Sequence, residues 1–127
     1  MNNNIVPGFN NERIPQLSIT LNRIPELPGS LILDLKGEIN TGNSSQFQRQ
    51  VATCIGSGFL NLIFNMIGLT YVSSTGIGSF VFILKSVQEA NGRLVLSQIP
   101  PKIFEVFKLL GFSSFFINTL GIEEAIS

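Results

Sequence analysis

Between Arg49 and Lys85 the chain carries no charged residue. So long an uncharged interval belongs mostly away from water. Two readings account for it: a membrane span, or a buried strand followed by a buried helix. Asn61, Asn65, Gly68, Ser73, Ser74, Thr75, Gly76 and Gly78 interrupt the apolar run repeatedly. No stretch reaches the roughly 18 consecutive apolar residues of a spanning helix. The interval therefore reads as FLNLIFNMI (59–67), a central strand covered on both faces, and a helix from about Gly76 to Ala90.

The flanking sequence supplies the rest of a sheet. Leu17, Ile19 and Leu21 alternate with polar neighbours, as do Leu31, Leu33 and Leu35 within SLILDLKG (30–37). Pro25, Pro28 and Gly29 between them predict the turn of an antiparallel hairpin. Phe47, Val51, Cys54 and Ile55 fall on one helical stripe, which Asn43 and Gln46 open as a capping box and Gly56 and Gly58 close. The next helix has Ile77, Phe80, Val81, Leu84 and Val87 as its core stripe and ends at Asn91-Gly92. RLVLS (93–97) is a buried strand. Pro101 suits the first turn of a third helix, with Ile103, Val106, Phe107 and Leu110 inward and Gly111 at its end. SFFI (114–117) and IEEAI (122–126) finish the chain, and Phe112, Phe115 and Phe116 are assigned to the core. The order β-β-α-β-α-β-α-β-α predicts an α/β fold: a small mixed sheet packed with helices, parallel through right-handed crossovers, with the hairpin as an antiparallel edge. Residues 1–16, rich in Asn with Pro7, Gly8 and Pro15, read as an irregular N-terminal extension, and 17–127 as one domain.

Composition narrows the function. The 127 residues suffice for one cored domain without disulfides or metals. Eight acidic and eight basic residues cancel with no basic cluster, so neither nucleic acid nor an anionic membrane is an expected partner. The weakly charged surface leans toward protein contacts. There is no histidine, which removes histidine acid–base catalysis, serine triads and most catalytic zinc sites. No cofactor or metal is expected. Cys54 is the sole cysteine and reads as a buried structural thiol, in keeping with a reducing cytosol and a cytoplasmic location. The start, MNNNIVPGFNNER, has neither a basic nor an apolar leader region, so no signal peptide is expected.

The chemistry concentrates at VSSTGIG (72–78), where the strand hands over to the helix. A nucleophile elbow needs Gly-x-Ser-x-Gly, a dinucleotide loop Gly-x-Gly-x-x-Gly, and a Walker loop a Gly-Lys pair; none is present. Two readings remain. A serine or threonine here caps the first free amides and stabilises the helix by about 0.5–2 kcal/mol. The same junction suits a phosphorylated hydroxyl, because about −2 charge would meet the positive end of the helix dipole.

DLKGEIN (34–40), LNLIFNMIGLTYVSSTGIGS (60–79), GRLVLSQIPPKIFEVFKLLGF (92–112) and the final IEEAI together resemble the STAS domain of bacterial anti-sigma factor antagonists. The resemblance spans roughly residues 17 to 126. That family carries Asp-Ser-Ser-Gly-Leu-Gly at the helix start. The resemblance implies a protein that binds rather than catalyses and that is switched by phosphorylation. An anti-sigma factor with ATP-dependent serine-kinase activity modifies the serine after the aspartate, and a metal-dependent Ser/Thr phosphatase resets it. The unphosphorylated form binds the anti-sigma factor and frees the sigma factor. Carried onto this chain, the phosphoacceptor is Ser74, with Ser73 and Thr75 as alternatives. Ser73, Asn40 and Asn65 stand where the family has aspartates, and these departures motivate a second reading as a constitutive scaffold or accessory subunit. The expected docking face joins Asn40 and the junction residues Ser73, Ser74, Thr75, Gly76, Ile77 and Gly78. It continues along the helix through Ser79, Phe82 and Ser86, pointing outward, with Ile83 at the flank.

Overall fold

A computed structural model describes residues 5–9 and 13–126; residues 1–4 and 10–12 of the N-terminal extension, and Ser127, lie outside them. The alternation of Leu31, Leu33 and Leu35 sends all three side chains to one face of β2 (Ser30–Ile39), where they enter the main core. The strand pairs antiparallel with β1 (Leu17–Arg23) and parallel with β3 (Asn61–Val72). β4 (Arg93–Ser97) and β5 (Ile117–Thr119) extend the sheet in parallel, giving five strands in the order β1-β2-β3-β4-β5. The expected mixed sheet with its antiparallel hairpin edge is thus present. β5 begins later than the SFFI segment suggested, because Ser113–Phe115 first form a 3-10 turn.

Three helices cover the face that carries the leucines: α1 (Ser44–Gly56), α2 (Ser74–Glu89) and α3 (Pro101–Leu109). Their contact with the sheet is built on a chain of rings. Phe80 of α2 lies 5.2 Å from Phe47 of α1, 5.4 Å from Phe64 of β3 and 6.0 Å from Phe107 of α3. Phe107 in turn meets Phe116 at 5.7 Å. Edge-to-face rings of this kind contribute about 0.5–1.5 kcal/mol each beyond the area they bury. Val6, Phe9 and Ile14 of the extension are buried in the same cluster, so the irregular segment packs against the domain.

The opposite face is covered differently. α4 (Ile122–Ile126) seats Ala125 against Ile24, Ile63 and Val95 in a second, smaller cluster. A helix of five residues covers only the first part of β3. Farther along, Asn65 is half-buried, Ile67 is 62% exposed and Tyr71 is 50% exposed. β3 is therefore central but doubly covered over its opening residues alone, which corrects the expectation from its apolar composition.

Two further expectations change. Asn43 is the N-cap of α1, yet its side chain makes no capping bond, and Gln46 reaches the Arg13 carbonyl at 3.3 Å instead of closing a box. The Asn43 side-chain oxygen accepts the Asn40 amide at 2.8 Å instead, while its NH2 donates to the Pro15 and Glu38 carbonyls at 2.7 and 3.0 Å. Phe115, assigned to the core by sequence, is 54% exposed, because the 3-10 turn directs it outward while Phe116 goes in.

Cys54 is fully buried in α1. Burial pushes its thiol up to about 12, against a smaller lowering by the hydrogen bond of its own backbone amide, while the thiol donates to the Gln50 carbonyl. In the unfolded chain the thiol ionises near its ordinary value, so between about pH 9 and 12 the unfolded state has lost a proton that the native state keeps. Stability must therefore fall as pH rises through that window, by at most about 1.4 kcal/mol per pH unit from this group. Denaturant melts of the wild type and Cys54→Ala from pH 8 to 11 isolate the effect. The stability difference between them should narrow steadily above about pH 9, and a pH-independent difference refutes the assignment.

Candidate functional site at the start of helix α2

The parallel ladder between β2 and β3 runs to Ile39 opposite Val72. One residue on, the Ser73 amide donates to the Ile39 carbonyl at 2.9 Å, so the chain leaves the sheet at Ser73. Ser73 is extended, with φ −77° and ψ 169°, and it is buried. Its hydroxyl oxygen accepts the Gly76 amide at 3.0 Å, and its carbonyl accepts the Ile77 amide at 2.9 Å. Ser73 is the N-cap of α2, the role that the capping reading gave to one hydroxyl of the cluster.

Ser74 occupies the first helical position and is exposed, and its hydroxyl has no hydrogen-bond partner among the described residues. Thr75 is exposed beside it and receives the Thr41 hydroxyl at 3.5 Å. No acidic residue lies in the first turn. The amides of that turn and the helix dipole therefore present positive potential uncompensated by α2 itself.

Gly76 fixes the geometry. A Cβ there would lie 2.9 Å from Ile39 Cγ2 and Val72 Cγ1 and 3.0 Å from the Ile39 carbonyl oxygen. Only glycine lets the first turn sit this close to the end of β2. At Gly78 the opposite holds: a Cβ would meet nothing within 4 Å. A glycine in an open helical position weakens the helix by about 0.5–1 kcal/mol and gains nothing in packing.

The loop after β2 forms the other wall. Asn40 Oδ1 accepts the Gly42 and Asn43 amides at 2.9 and 3.0 Å, and Asn43 Oδ1 accepts the Asn40 amide at 2.8 Å. The Asn40 side-chain NH2 donates to Glu38 and Gln16, both at 2.9 Å. An aspartate at this position could not make those two donations and would place a second carboxylate beside Glu38. The loop thus ties the junction to the segment at Arg13–Gln16.

Of the residues expected on the docking face, Ser74, Gly78 and Phe82 lie four apart on one exposed stripe, Phe82 at 55%, with Thr75 and half-buried Asn40 alongside. Ser86 is half-buried and donates to the Phe82 carbonyl at 3.1 Å. Gly76, Ile77, Ser79 and Ile83 are buried. Ser79 and Ile83 correct the sequence reading, because α1 packs on the face expected to point outward. Ser79 donates to Gln48 at 3.0 Å, its small size allowing the helices to approach, and the true core stripe is Ile77, Phe80, Ile83 and Val87. Val81 and Leu84 are displaced to the flanks. Thr41, Glu38 and Gln16 were missed; the recurrence of asparagine at 40 and 43 after a strand was the available signal, since such side chains bind nearby loop amides.

Comparison with known proteins places the family and the fold. The STAS domain family model matches residues 21–125. BtrV of Bordetella bronchiseptica, named as a candidate anti-sigma factor antagonist, is 30% identical over 100 residues, covering 79% of this chain and 84% of that protein. The chain belongs to the STAS domain family and, within it, to the anti-sigma factor antagonists. Solved structures agree in fold. SpoIIAA in its unphosphorylated form superposes with a TM-score of 0.72 at 22% identity, over 86% of this chain and 93% of that one. The phosphorylated form of the same Bacillus protein gives 0.66 at 21% identity, over 86% and 96%. The murine anion transporter Slc26a9 gives 0.73 at 17% identity, over 92% of this chain and 22% of the transporter. Among the described residues no helix is long and apolar enough to cross a membrane.

The contrast between the two glycines is testable by thermal and denaturant melts. Gly76→Ala should destabilise by about 1–3 kcal/mol through overpacking against Ile39. Gly78→Ala should stabilise by about 0.5–1 kcal/mol. Equal effects at the two positions would contradict the packing described.

Proposed function

We propose that this chain is a phosphorylation-controlled partner switch, in which Ser74 is the phosphoacceptor and the stripe Ser74–Gly78–Phe82, with Thr75 and the Asn40 loop, is the surface that meets an anti-sigma factor. The observation that carries the reading is the asymmetry between adjacent serines. Ser73 is buried and its hydroxyl is committed to the Gly76 amide, whereas Ser74 is exposed and its hydroxyl is unengaged. A kinase can reach the second without unfolding the helix start. Of the alternative acceptors, Ser73 would lose its cap on modification, and Thr75 is already in contact with Thr41.

The phosphate would be tolerated by the fold and felt by the partner. At the first helical position it adds about −2 charge close to the free amides of the turn, with no acid there to repel it. The surrounding stripe is neutral, so a partner that buries it must desolvate that charge. In this scheme the unphosphorylated form binds an anti-sigma factor with serine-kinase activity and releases the sigma factor. A metal-dependent Ser/Thr phosphatase restores it. The chain itself performs no catalytic step.

Titration of the cognate anti-sigma factor by calorimetry tests this. Ser74→Glu should weaken binding by about tenfold or more, because even one buried unpaired charge costs over a kilocalorie, while Ser74→Ala should bind as the wild type does. The fold's occurrence within a larger transporter favours a second reading, a constitutive scaffold or accessory subunit of a regulatory or transport complex. Under it, Ser74→Glu leaves binding unchanged.

A further inference from the structure

Parallel neighbours β4 and β5 send the chain away in opposite directions from their carboxyl ends. From β4 it passes through Gln98 and Pro100 into α3, whose Ile103 and Phe107 join the main core. From β5 it passes through Leu120 into α4, whose Ala125 packs in the second cluster on the other face. Where adjacent parallel strands diverge like this, a crevice opens outside their carboxyl ends, and in open α/β sheets that is where ligands bind. Here the crevice is a groove of about 750 Å³, within the range that accepts a drug-sized molecule.

Its walls are apolar: Ile67 from β3, Ile99, Pro100 and Phe104 on the α3 side, and Leu120 on the α4 side. Ile67 and Leu120 are 62% and 92% exposed, so the described chain leaves both uncovered. Asn118 and Thr119 of the lining direct a donor to the Ser113 and Gly121 carbonyls, at 3.4 and 3.1 Å; Gln98 and Glu124 offer acceptors, and at Gln98 the sheet fixes that polarity. The Asp34 carboxylate can only accept, and it takes the Asn22 and Asn65 side-chain NH2 groups, both at 2.7 Å. Asn65 must therefore turn its oxygen the other way, where it accepts Gln98 Nε2 at 2.8 Å. Gln98 is thereby left with its Oε1 free of any hydrogen bond among the described residues, in a residue that lines the groove. Its backbone, at φ 57°, is held in the left-handed region while its amide donates to the Thr119 carbonyl at 3.0 Å. Of the lining residues, Glu124 is the charged one. Its Oε1 accepts the Leu120 amide at 2.8 Å, and Oε2 has no partner among the described residues.

We infer that this crevice binds a small amphiphile with an apolar body and a primary ammonium head. The body lies between Ile67, Phe104 and Leu120, and the ammonium donates to the Glu124 carboxylate and to Gln98 Oε1. A carboxylate-headed molecule of the same length would meet one like charge and a second acceptor, so the site selects by head group. The inference makes no use of Ser74 and stands or falls apart from it.

Amide NMR of the full chain, titrated with octylammonium chloride and separately with sodium octanoate, tests the site. Octylammonium should give saturable shifts at Ile67, Ile99, Phe104 and Leu120, with a dissociation constant below about 1 mM, and octanoate should bind at least about tenfold more weakly. Glu124→Gln, which keeps the acceptor for the Leu120 amide, should weaken octylammonium about tenfold. Leu120→Ser, at a position too exposed to matter for folding, should weaken both ligands. Absence of saturable shifts, equal affinity for the two head groups, or wild-type octylammonium affinity in either variant would overturn the inference.

Discussion

The close approach of Ile39 to Gly76 governs the geometry of the candidate site. The Ile39 carbonyl accepts the Ser73 amide as a last rung of the parallel ladder, and the first turn of α2 lies against the Ile39 side chain with no room for a Cβ on Gly76. A helix started this tightly needs its cap from the residue that has just left the strand, which is Ser73. The next residue is then forced outward. The difference between a buried cap and an exposed hydroxyl one position later is thus a product of sheet register and one glycine.

The same helix start explains how the polar replacements fit. The resemblance implies aspartates where Ser73, Asn40 and Asn65 stand, and each of the three has a hydrogen-bonding task that a carboxylate would do differently. Ser73 caps the helix without charge. Asn40 accepts two loop amides while donating to Glu38 and Gln16. Asn65 donates to Asp34 while accepting from Gln98. Two carboxylates remain nearby, on Glu38 and Asp34, and the asparagines bridge to them. Aspartate at either asparagine would set two acceptors against each other. The site is therefore locally consistent in a form less negative at the helix start.

Much of this was legible in the sequence. The uncharged interval, the leucine alternation and the turn residues gave the order of elements and the antiparallel edge, since all three are local patterns with a period or a breaker to mark them. Helix rotation was not legible: Ile83 and Val81 are both apolar, and which of them faces inward is decided by where α1 packs against α2 through Ser79. The Asn43–Gln46 box failed for the same kind of reason, because Pro15 and Glu38, distant in sequence or in a neighbouring strand, hold the Asn43 NH2 and leave its oxygen turned to the Asn40 amide. At the site, the run of three hydroxyls was conspicuous. Their division of labour was not, since it depends on Ile39 and Gly76 coming together from separate elements.

The account stands on Ser73 being a cap and Ser74 an acceptor. Incubation of the full chain with the proposed anti-sigma kinase and magnesium ATP, followed by fragmentation mass spectrometry that localises the phosphate, addresses this most directly. The account predicts a single phosphate on Ser74, retained in Ser73→Ala and lost in Ser74→Ala. Phosphate on Ser73 or Thr75 of the wild type, or none on the cluster at all, would contradict it.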